Sequence, residues 1–298
     1  MIDLLVPNTQ IHAVIISWEN QETNAQKIAL SIQNLVSTIS VVYSHSNDSI
    51  QEGVGNWIKT PNSFFYGKKF SKALELHNDG HLLIIHADAE ATNWPKLISR
   101  CQAAFAIHPQ LGVWAPRHTG TPWQWDNVCL GDPYSQELQA VAQTDGIVVA
   151  YAEPVIKRLK QLSYERNHYG WGIDWAAVCF SYCNNLSVLM DPALLIDHTL
   201  SSQDQYSDDA SSQMKEFFEQ LTSQEKIMQS LLENHISLKK VGYELRDIAL
   251  AKKQILEQES LQLHAHIEAL HQSNSWRLTR PFRAFTSRLR KLKSYITT

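Results

Sequence analysis

The chain has 298 residues, and 44% of them are hydrophobic, which is enough apolar surface for one sizeable domain with an appendage or for two small domains. No apolar run is long enough to cross a bilayer, Asp3 stands where a secretory leader would carry basic charge, and the four cysteines lack metal-ligand spacing. These features argue against a membrane-spanning or secreted protein and predict a folded cytoplasmic protein with free thiols.

The net charge of −4 is unevenly distributed along the chain. Residues 1–205 hold 12 Lys/Arg against 19 Asp/Glu, residues 206–272 hold 7 against 11, and residues 273–298 hold 7 against none. A basic terminal segment beside an acidic body indicates an anionic partner for the tail, either a membrane surface or nucleic acid. The acidic body argues against extensive contact with nucleic acid, so no such partner is expected.

Strand and helix patterns alternate along the first two hundred residues. Short apolar runs predict strands at residues 11–17, 39–43, 82–85 and 111–116. Helical spacing of apolar residues predicts helices at residues 24–35 and 68–78, and Asn93-Trp-Pro95 opens a third. This alternation predicts an α/β fold with a mixed, mainly parallel sheet flanked by helices, in which ligands bind at the carboxyl ends of the strands.

Past residue 205 the composition shifts to Glu, Gln, Lys and Leu, and residues 211–271 contain no proline. Asn234, Lys252 and Gly242 weaken a heptad pattern whose two series are Leu231, Leu238, Leu245 and Ile227, Val241, Ile248, Ile255. The pattern predicts that residues 206–272 form a long coiled-coil helix joining copies of the chain. A helix that packs back on the globular domain, residues 1–205, would show a similar stripe.

The basic tail, residues 273–298, contains aromatic residues among its charges. Pro281 ends the preceding helix, and apolar residues then follow at helical spacing at Phe282, Phe285, Leu289 and Leu292. This pattern is typical of a short amphipathic helix that lies on a membrane surface. A solvated run of charges is the alternative.

The strand predicted at residues 82–85 ends in a small acidic cluster. Its apolar run is typical of a strand buried on both faces, and His86, Asp88 and Glu90 alternate on one side where the strand emerges. Oxygen-rich clusters at such an end suit a hard divalent cation and a phosphate-bearing ligand. A strand that simply turns into a polar loop is the alternative.

The order and spacing of several segments resemble a bacterial GT-A glycosyltransferase of the family 2 type, over about the first 200 residues. The segments are residues 11–17, 44–48, 61–67, the Asp88/Glu90 cluster, residues 169–174 and His198. The stretch Ser275-Trp-Arg-Leu-Thr-Arg-Pro-Phe-Arg283 also resembles a tail common among bacterial polysaccharide glycosyltransferases. The resemblance implies inverting transfer of a sugar from a nucleotide-sugar donor to a glycan or lipid-linked acceptor. It implies a role in surface polysaccharide biosynthesis, at the cytoplasmic face of a membrane.

The resemblance also implies a Mn²⁺ or Mg²⁺ cofactor, with the metal ligands Asp88, Glu90 and His198. The family's Asp-x-Asp signature reads His86-Ala-Asp88 in this chain, so Glu90 supplies the second carboxylate. Implied contacts to the donor nucleotide are Ser17, Asp48, Lys69, His86 and Asp88.

The general base of the family falls on Asp174, which the glycines at 170 and 172 bring into the crevice; capping of the following helix is the alternative role. Candidates for acceptor binding are Trp171 and Trp123, whose rings suit sugar stacking, together with Asp145. A catalytically inactive scaffold that acts through its coiled coil is the alternative to an enzyme. A nucleotidyltransferase is less favoured, because no glycine-rich basic loop follows the first strand.

Overall fold

The computed structural model describes residues 10–47, 51–121, 124–132, 135, 137–198, 208–279 and 281. It contains two compact units, residues 1–239 and residues 240–298. The strands are β1 (Ile11–Ile16), β2 (Thr38–Tyr43), β3 (Asn56–Lys59), β4 (His81–His86), β5 (Glu90–Ala91), β6 (Leu111–His118), β7 (Gln139–Ala140), β8 (Val148–Tyr151) and β9 (Ser187–Asp197). The helices are α1 (Glu22–Ile32), α2 (Tyr66–Leu76), α3 (Trp94–Ile107), α4 (Trp125–Val128), α5 (Glu153–Leu159), α6 (Ile173–Cys183), α7 (Asp208–Phe218), α8 (Ser223–Gln272) and α9 (Asn274–Leu278).

One nine-stranded sheet forms the centre of the first unit, in the order β3-β2-β1-β4-β8-β6-β9-β5, with β7 also paired to β9. Parallel pairings join β3 to β2, β2 to β1, β1 to β4 and β6 to β9. Strand β8 runs antiparallel to both β4 and β6, and β5 and β7 are antiparallel to β9. The predicted fold class, a mixed sheet flanked by helices and followed by a long helix, is confirmed.

Both faces of the sheet are covered by helices, which explains why its central strands are mostly apolar. In β4, Leu82 and Ile84 point into the core cluster that α2, α5 and α6 close. Leu83 and Ile85 point into the opposite cluster, which α1 and α3 close. Because side chains alternate between the faces, a strand buried on both sides is hydrophobic at most positions. The buried His12 of β1 is an exception, and it hydrogen-bonds Ser40 of β2 at 3.0 Å.

The beginning of α8 is tied to the body of the first unit. Glu225 and Thr222 form a capping box: the Thr222 amide donates to Glu225 Oε2 at 2.7 Å, and the Glu225 amide donates to Thr222 Oγ1 at 3.2 Å. Arg158 of α5 donates to both carboxylate oxygens of the buried Glu225 at 2.8 Å. One carboxylate therefore caps α8 and attaches it to α5.

The apolar stripe of α8 that packs on this body differs from the heptad series. Leu232 is buried in the core cluster, and Met228 and Ile236 pack against it. Ile227, Leu231 and Leu238 of the heptad series are exposed. Coiled-coil pairing and the domain boundaries at residues 206 and 273 stay predictions, and residues 282–298 of the basic tail lie outside the described residues. Among the described helices, none has the length and apolar composition needed to cross a bilayer.

We expect Glu225→Ala to destabilise the first unit by about 3 kcal/mol or more, because Arg158 would be left buried without its partner. Its matched control is Glu219→Ala, whose side chain is 78% exposed in its ion pair with Lys226 and should change stability by less than about 1 kcal/mol. Urea unfolding followed by tryptophan fluorescence measures both. Equal midpoints for the two variants would contradict this account of the α8 anchor.

Candidate active site

The site begins where β1 and β4 end together at one edge of the sheet. Their parallel register places Ile16 opposite His86, so Trp18 and Asp88 emerge side by side from the two strands. Strand β9 ends nearby, because its residue Asp197 pairs with Glu90 of β5, and His198 follows directly. Three separate stretches of chain therefore converge at the carboxyl ends of the parallel strands.

His86, Asp88 and His198 form a group that could hold a metal ion, with one ligand atom from each within 4.8 Å of the others. Asp88 Oδ1 lies 4.0 Å from His86 Nδ1, and Asp88 Oδ2 lies 3.5 Å from His198 Nε2. The structure thus brings two of the predicted metal ligands together. It adds His86, which the sequence assigned to the donor, and Glu90 lies outside this group as an exposed residue of β5.

The protonation states of the group favour metal binding. His86 packs against the rings of Trp18, at 5.1 Å, and Tyr66, at 4.7 Å. This burial lowers the pKa of His86 to about 4, so its imidazole is neutral near pH 7. Burial opposes ionisation of Asp88, but the hydrogen bond from His198 and the charges of both histidines hold the pKa of Asp88 below its ordinary value.

Lys69 lies beneath the ends of β1 and β2. Its buried ammonium donates to the Ser17 carbonyl at 2.6 Å and to Ser44 Oγ at 2.8 Å, and it sits 5.2 Å over the Trp18 ring. Burial lowers the pKa of Lys69 to about 8, against the opposing effect of Glu22. Lys69 and Ser17, both predicted to contact the donor, therefore hydrogen-bond each other and fix the strand ends. Asp48, the third predicted contact in this region, lies outside the described residues.

Asp174 stands in the first turn of α6 and is only partly exposed. The N-cap position belongs to Gly172, whose φ of 89° suits glycine. The Asp174 carboxylate accepts hydrogen bonds from the Trp175 amide at 2.9 Å and from Gln143 Nε2 at 2.8 Å. Burial, and then the nearby charge of Asp145, raise the pKa of Asp174 to about 7, which places it in the range of an effective general base.

Asp145, one of the residues that the sequence suggested for acceptor binding, lines a pocket. Its lining includes Arg117, His118, Thr121, Trp125, Thr144 and Asp145. Trp171 is partly buried, with its carbonyl accepting from Asn167 Nδ2 at 2.9 Å, and Trp123 lies outside the described residues.

Three residues of the site were not singled out from the sequence: Tyr66, His118 and Gln143. Tyr66 packs on His86, and its hydroxyl donates to the Gly146 carbonyl at 3.2 Å. His118 is buried, which lowers its pKa to about 4, and its Nε2 accepts from the Val148 amide at 3.2 Å. His118 and Gln143 lie outside the segments that carry the family resemblance, and only their contacts indicate a role.

Comparison with known proteins gives the fold. No family model matches the chain, and no curated protein matches it significantly. It is similar to the crystal structure of GalNAc-T7 with UDP, GalNAc and Mn²⁺, with a TM-score of 0.55 and 12% identity over 73% of this chain and 49% of that chain. It is also similar to S. aureus TarS 1–349 in complex with UDP-GlcNAc, with a TM-score of 0.51 and 16% identity over 76% of this chain and 72% of that chain.

The chain has a GT-A-like fold. It spans about half the length of the GalNAc-T7 chain. The predicted resemblance is therefore confirmed for the fold, and the roles assigned to individual residues stay predictions.

We expect the Asp174 carboxyl to titrate near pH 7, and Asp145→Asn to lower its pKa by removing a neighbouring negative charge. Carbon-13 NMR of aspartate-labelled protein measures both, with Asp174→Asn identifying the resonance. Asp247→Asn, an exposed change on α8, is the control and should leave the titration unchanged. A midpoint near the ordinary value of about 3.9 in the unmodified protein would contradict the assignment.

Proposed function

We propose that this protein is a glycosyltransferase that moves a sugar from a nucleotide-sugar donor to a glycan or lipid-linked acceptor. The supporting observation is that the candidate metal ligands and the candidate base share one site. The loop that leads into Asp174 packs closely on Tyr66, because a Cβ atom added at Gly170 would lie 2.1 Å from Tyr66 Cδ1. The ring of Tyr66 in turn packs on His86. Burial, and then the charge of Asp174, raise the pKa of the Tyr66 phenol.

The residues present fit a divalent cation. Two imidazoles, one of them kept neutral by burial, and one ionised carboxylate suit Mn²⁺ better than Mg²⁺, which prefers oxygen ligands alone. His86, Asp88 and His198 would hold the ion, with the exposed Glu90 as a further carboxylate on the donor side. When bound, such a cation neutralises the charge that develops on the departing nucleoside diphosphate. GalNAc-T7, which shares the fold, was crystallised with UDP and Mn²⁺.

Asp174 would act on the acceptor. As the acceptor oxygen forms its bond to the anomeric carbon and the bond to the diphosphate oxygen breaks, the hydroxyl proton passes to an Asp174 carboxylate oxygen. The hydrogen bond from Gln143 holds this carboxylate in place, and attack from the face opposite the diphosphate inverts the anomeric centre. Trp171, Trp123 and Asp145 would contact the acceptor, and Asp48 the donor. Ser17 and Lys69 would hold the strand ends around the donor.

The basic tail and helix α8 would determine where the enzyme is located in the cell and how its copies associate. The basic tail suits the anionic inner surface of a cell membrane, which agrees with a peripheral cytoplasmic enzyme of surface polysaccharide biosynthesis. The heptad series of α8 suits self-association. The alternative of an inactive scaffold rests on two departures from the family, His86 in place of an aspartate and the lack of an acidic residue directly after the second strand. The first departure loses weight, because His86 lies among the candidate ligands.

We expect a nucleoside diphosphate to bind more tightly with Mn²⁺ than with Mg²⁺ or without metal. In His198→Ala the Kd of the Mn²⁺ complex should rise by more than about tenfold, the effect that loss of even an outer-shell partner has on metal sites. Isothermal titration calorimetry with UDP, GDP and CDP measures this, and His264→Ala, on the exposed surface of α8, is the control. If the two variants bound the nucleotide with Mn²⁺ equally well, His198 would not be a metal ligand and the metal site would have to lie elsewhere.

We expect Asp174→Asn to lower the transfer rate by about 10²–10⁴-fold while the Kd for nucleotide is unchanged, because the base acts on the acceptor only. The rate of the unmodified enzyme should fall about tenfold per pH unit below pH 7, since protonation removes the base, and the residual rate of Asp174→Asn should lack this dependence. Release of nucleoside diphosphate, measured with a panel of nucleotide sugars, tests both. Glu165→Gln, at an exposed ion pair, is the control, and full turnover by Asp174→Asn would refute the assignment.

A further inference from the structure

Helix α8 carries two distinct apolar faces within the first unit. The residues of the inner face are Met228, Leu232 and Ile236, and all three pack in or against the core cluster. Ile227, Leu231 and Leu238 lie on a different side of the helix, about 120° around its axis from the inner face, and are more than half exposed. The heptad pattern is therefore not explained by attachment of α8 to the globular body.

The heptad spacing of this second set of residues continues in the sequence of α8 past residue 239. We name the outer stripe as the residues Ile227, Leu231, Leu238, Val241, Leu245, Ile248 and Ile255, each between 50% and 73% exposed. In heptad register Leu231, Leu238 and Leu245 take a positions and the β-branched residues take d positions, with Asn234 at one d position and Lys252 at one a position as interruptions. Such a stripe is self-complementary, and the occupant that fits it is another copy of the same stripe.

We propose that copies of this chain cover the outer stripe in a parallel coil of three or four helices, and not of two. The proposal deepens the self-association put forward above. The order of residue types carries it: β-branched residues at a with leucine at d favour two strands, whereas leucine at a with isoleucine at d favours three or four. In this chain the order is the second one.

The positions that flank the outer stripe support the same number of strands. Two-stranded coils usually carry Glu and Lys at the flanking e and g positions, where they pair between helices. Of these positions Met228 packs on the core of the first unit. The others carry small or uncharged residues, with Glu244 as the single acidic residue among them: Ser230, His235, Ser237, Gly242, Glu244, Ala249 and Ala251. Flanks of this kind can be buried in the wider interface of a larger coil.

Gly242 and Asn234 fit this arrangement. A Cβ atom added at Gly242 would meet nothing within 4 Å among the described residues, so nothing around it in the chain requires a glycine. A neighbouring helix would approach closely there. Asn234 occupies a d position, and in a parallel coil in register the Asn234 side chains of all copies meet in one layer, where they hydrogen-bond each other and fix the register.

The first test is the mass of the full chain in solution by sedimentation equilibrium. The monomer mass is 34.0 kDa, and three or four times this value is expected. A five-fold variant exchanges the residue types, with Leu231→Ile, Leu238→Ile, Leu245→Ile, Val241→Leu and Ile248→Leu, and should give twice the monomer mass. A monomer or dimer of the unmodified chain, or a variant with an unchanged mass, would overturn the proposal.

The second test locates the interface. Leu238→Lys with Leu245→Lys should give a monomer, whereas Leu250→Lys, which changes a residue that is 52% exposed on the other side of α8, should leave the mass unchanged. Dissociation by Leu250→Lys alone would overturn the proposal, and if the double variant fails to fold, the five-fold exchange still decides. Calorimetry with nucleoside diphosphates on the same samples tests the proposed glycosyltransferase function separately from the oligomeric state, because nucleotide binding at the candidate site does not require three or four copies of the chain.

Discussion

The parallel pairing of β1 with β4 is the constraint on which the site depends. Both strands are buried on both faces, so they can present polar groups only where they end, and their register makes them end together. The Lys69 ammonium then holds the end of β1 to the loop after β2 through the Ser17 carbonyl and Ser44. A buried cation is costly unless it is well hydrogen-bonded, so these contacts also fix α2 against the sheet.

Close packing around Tyr66 fixes the position of α6 relative to the strand ends. A Cβ atom on Gly170 would lie 2.1 Å from Tyr66 Cδ1, and one on Gly67 would lie 1.7 Å from the Asn167 carbonyl oxygen. The two glycines therefore let the loop before α6 press against the start of α2, where the Tyr66 ring also packs on His86. The position of Asp174 relative to the histidines follows from this contact, because Asp174 begins the helix that the loop leads into.

The sequence predicted features that local pattern determines. Buried strands such as β1 and β4 are recognisable from their mainly apolar runs. Strands β5 and β7 have two residues each, which is too few for a pattern. The direction of β8 depends on its pairing with distant strands. Asp88, His198 and Asp174 came from a family resemblance. Gln143 did not, because its role rests on a contact 31 residues away in sequence, and the two faces of α8 separate only once one of them is seen to be packed.

The electrostatics of Asp174 argue for function over structure. Because folding raises its pKa to about 7, the folded state binds the proton more tightly than the unfolded chain does. This carboxyl therefore stabilises the fold at acid pH, and that contribution is lost as the pH rises from about 4 to about 7. A carboxylate that served only to begin α6 would gain from ionisation at a helix N-terminus. A raised pKa beside Asp145, at a cost to stability near neutral pH, is what the base role proposed for Asp174 requires.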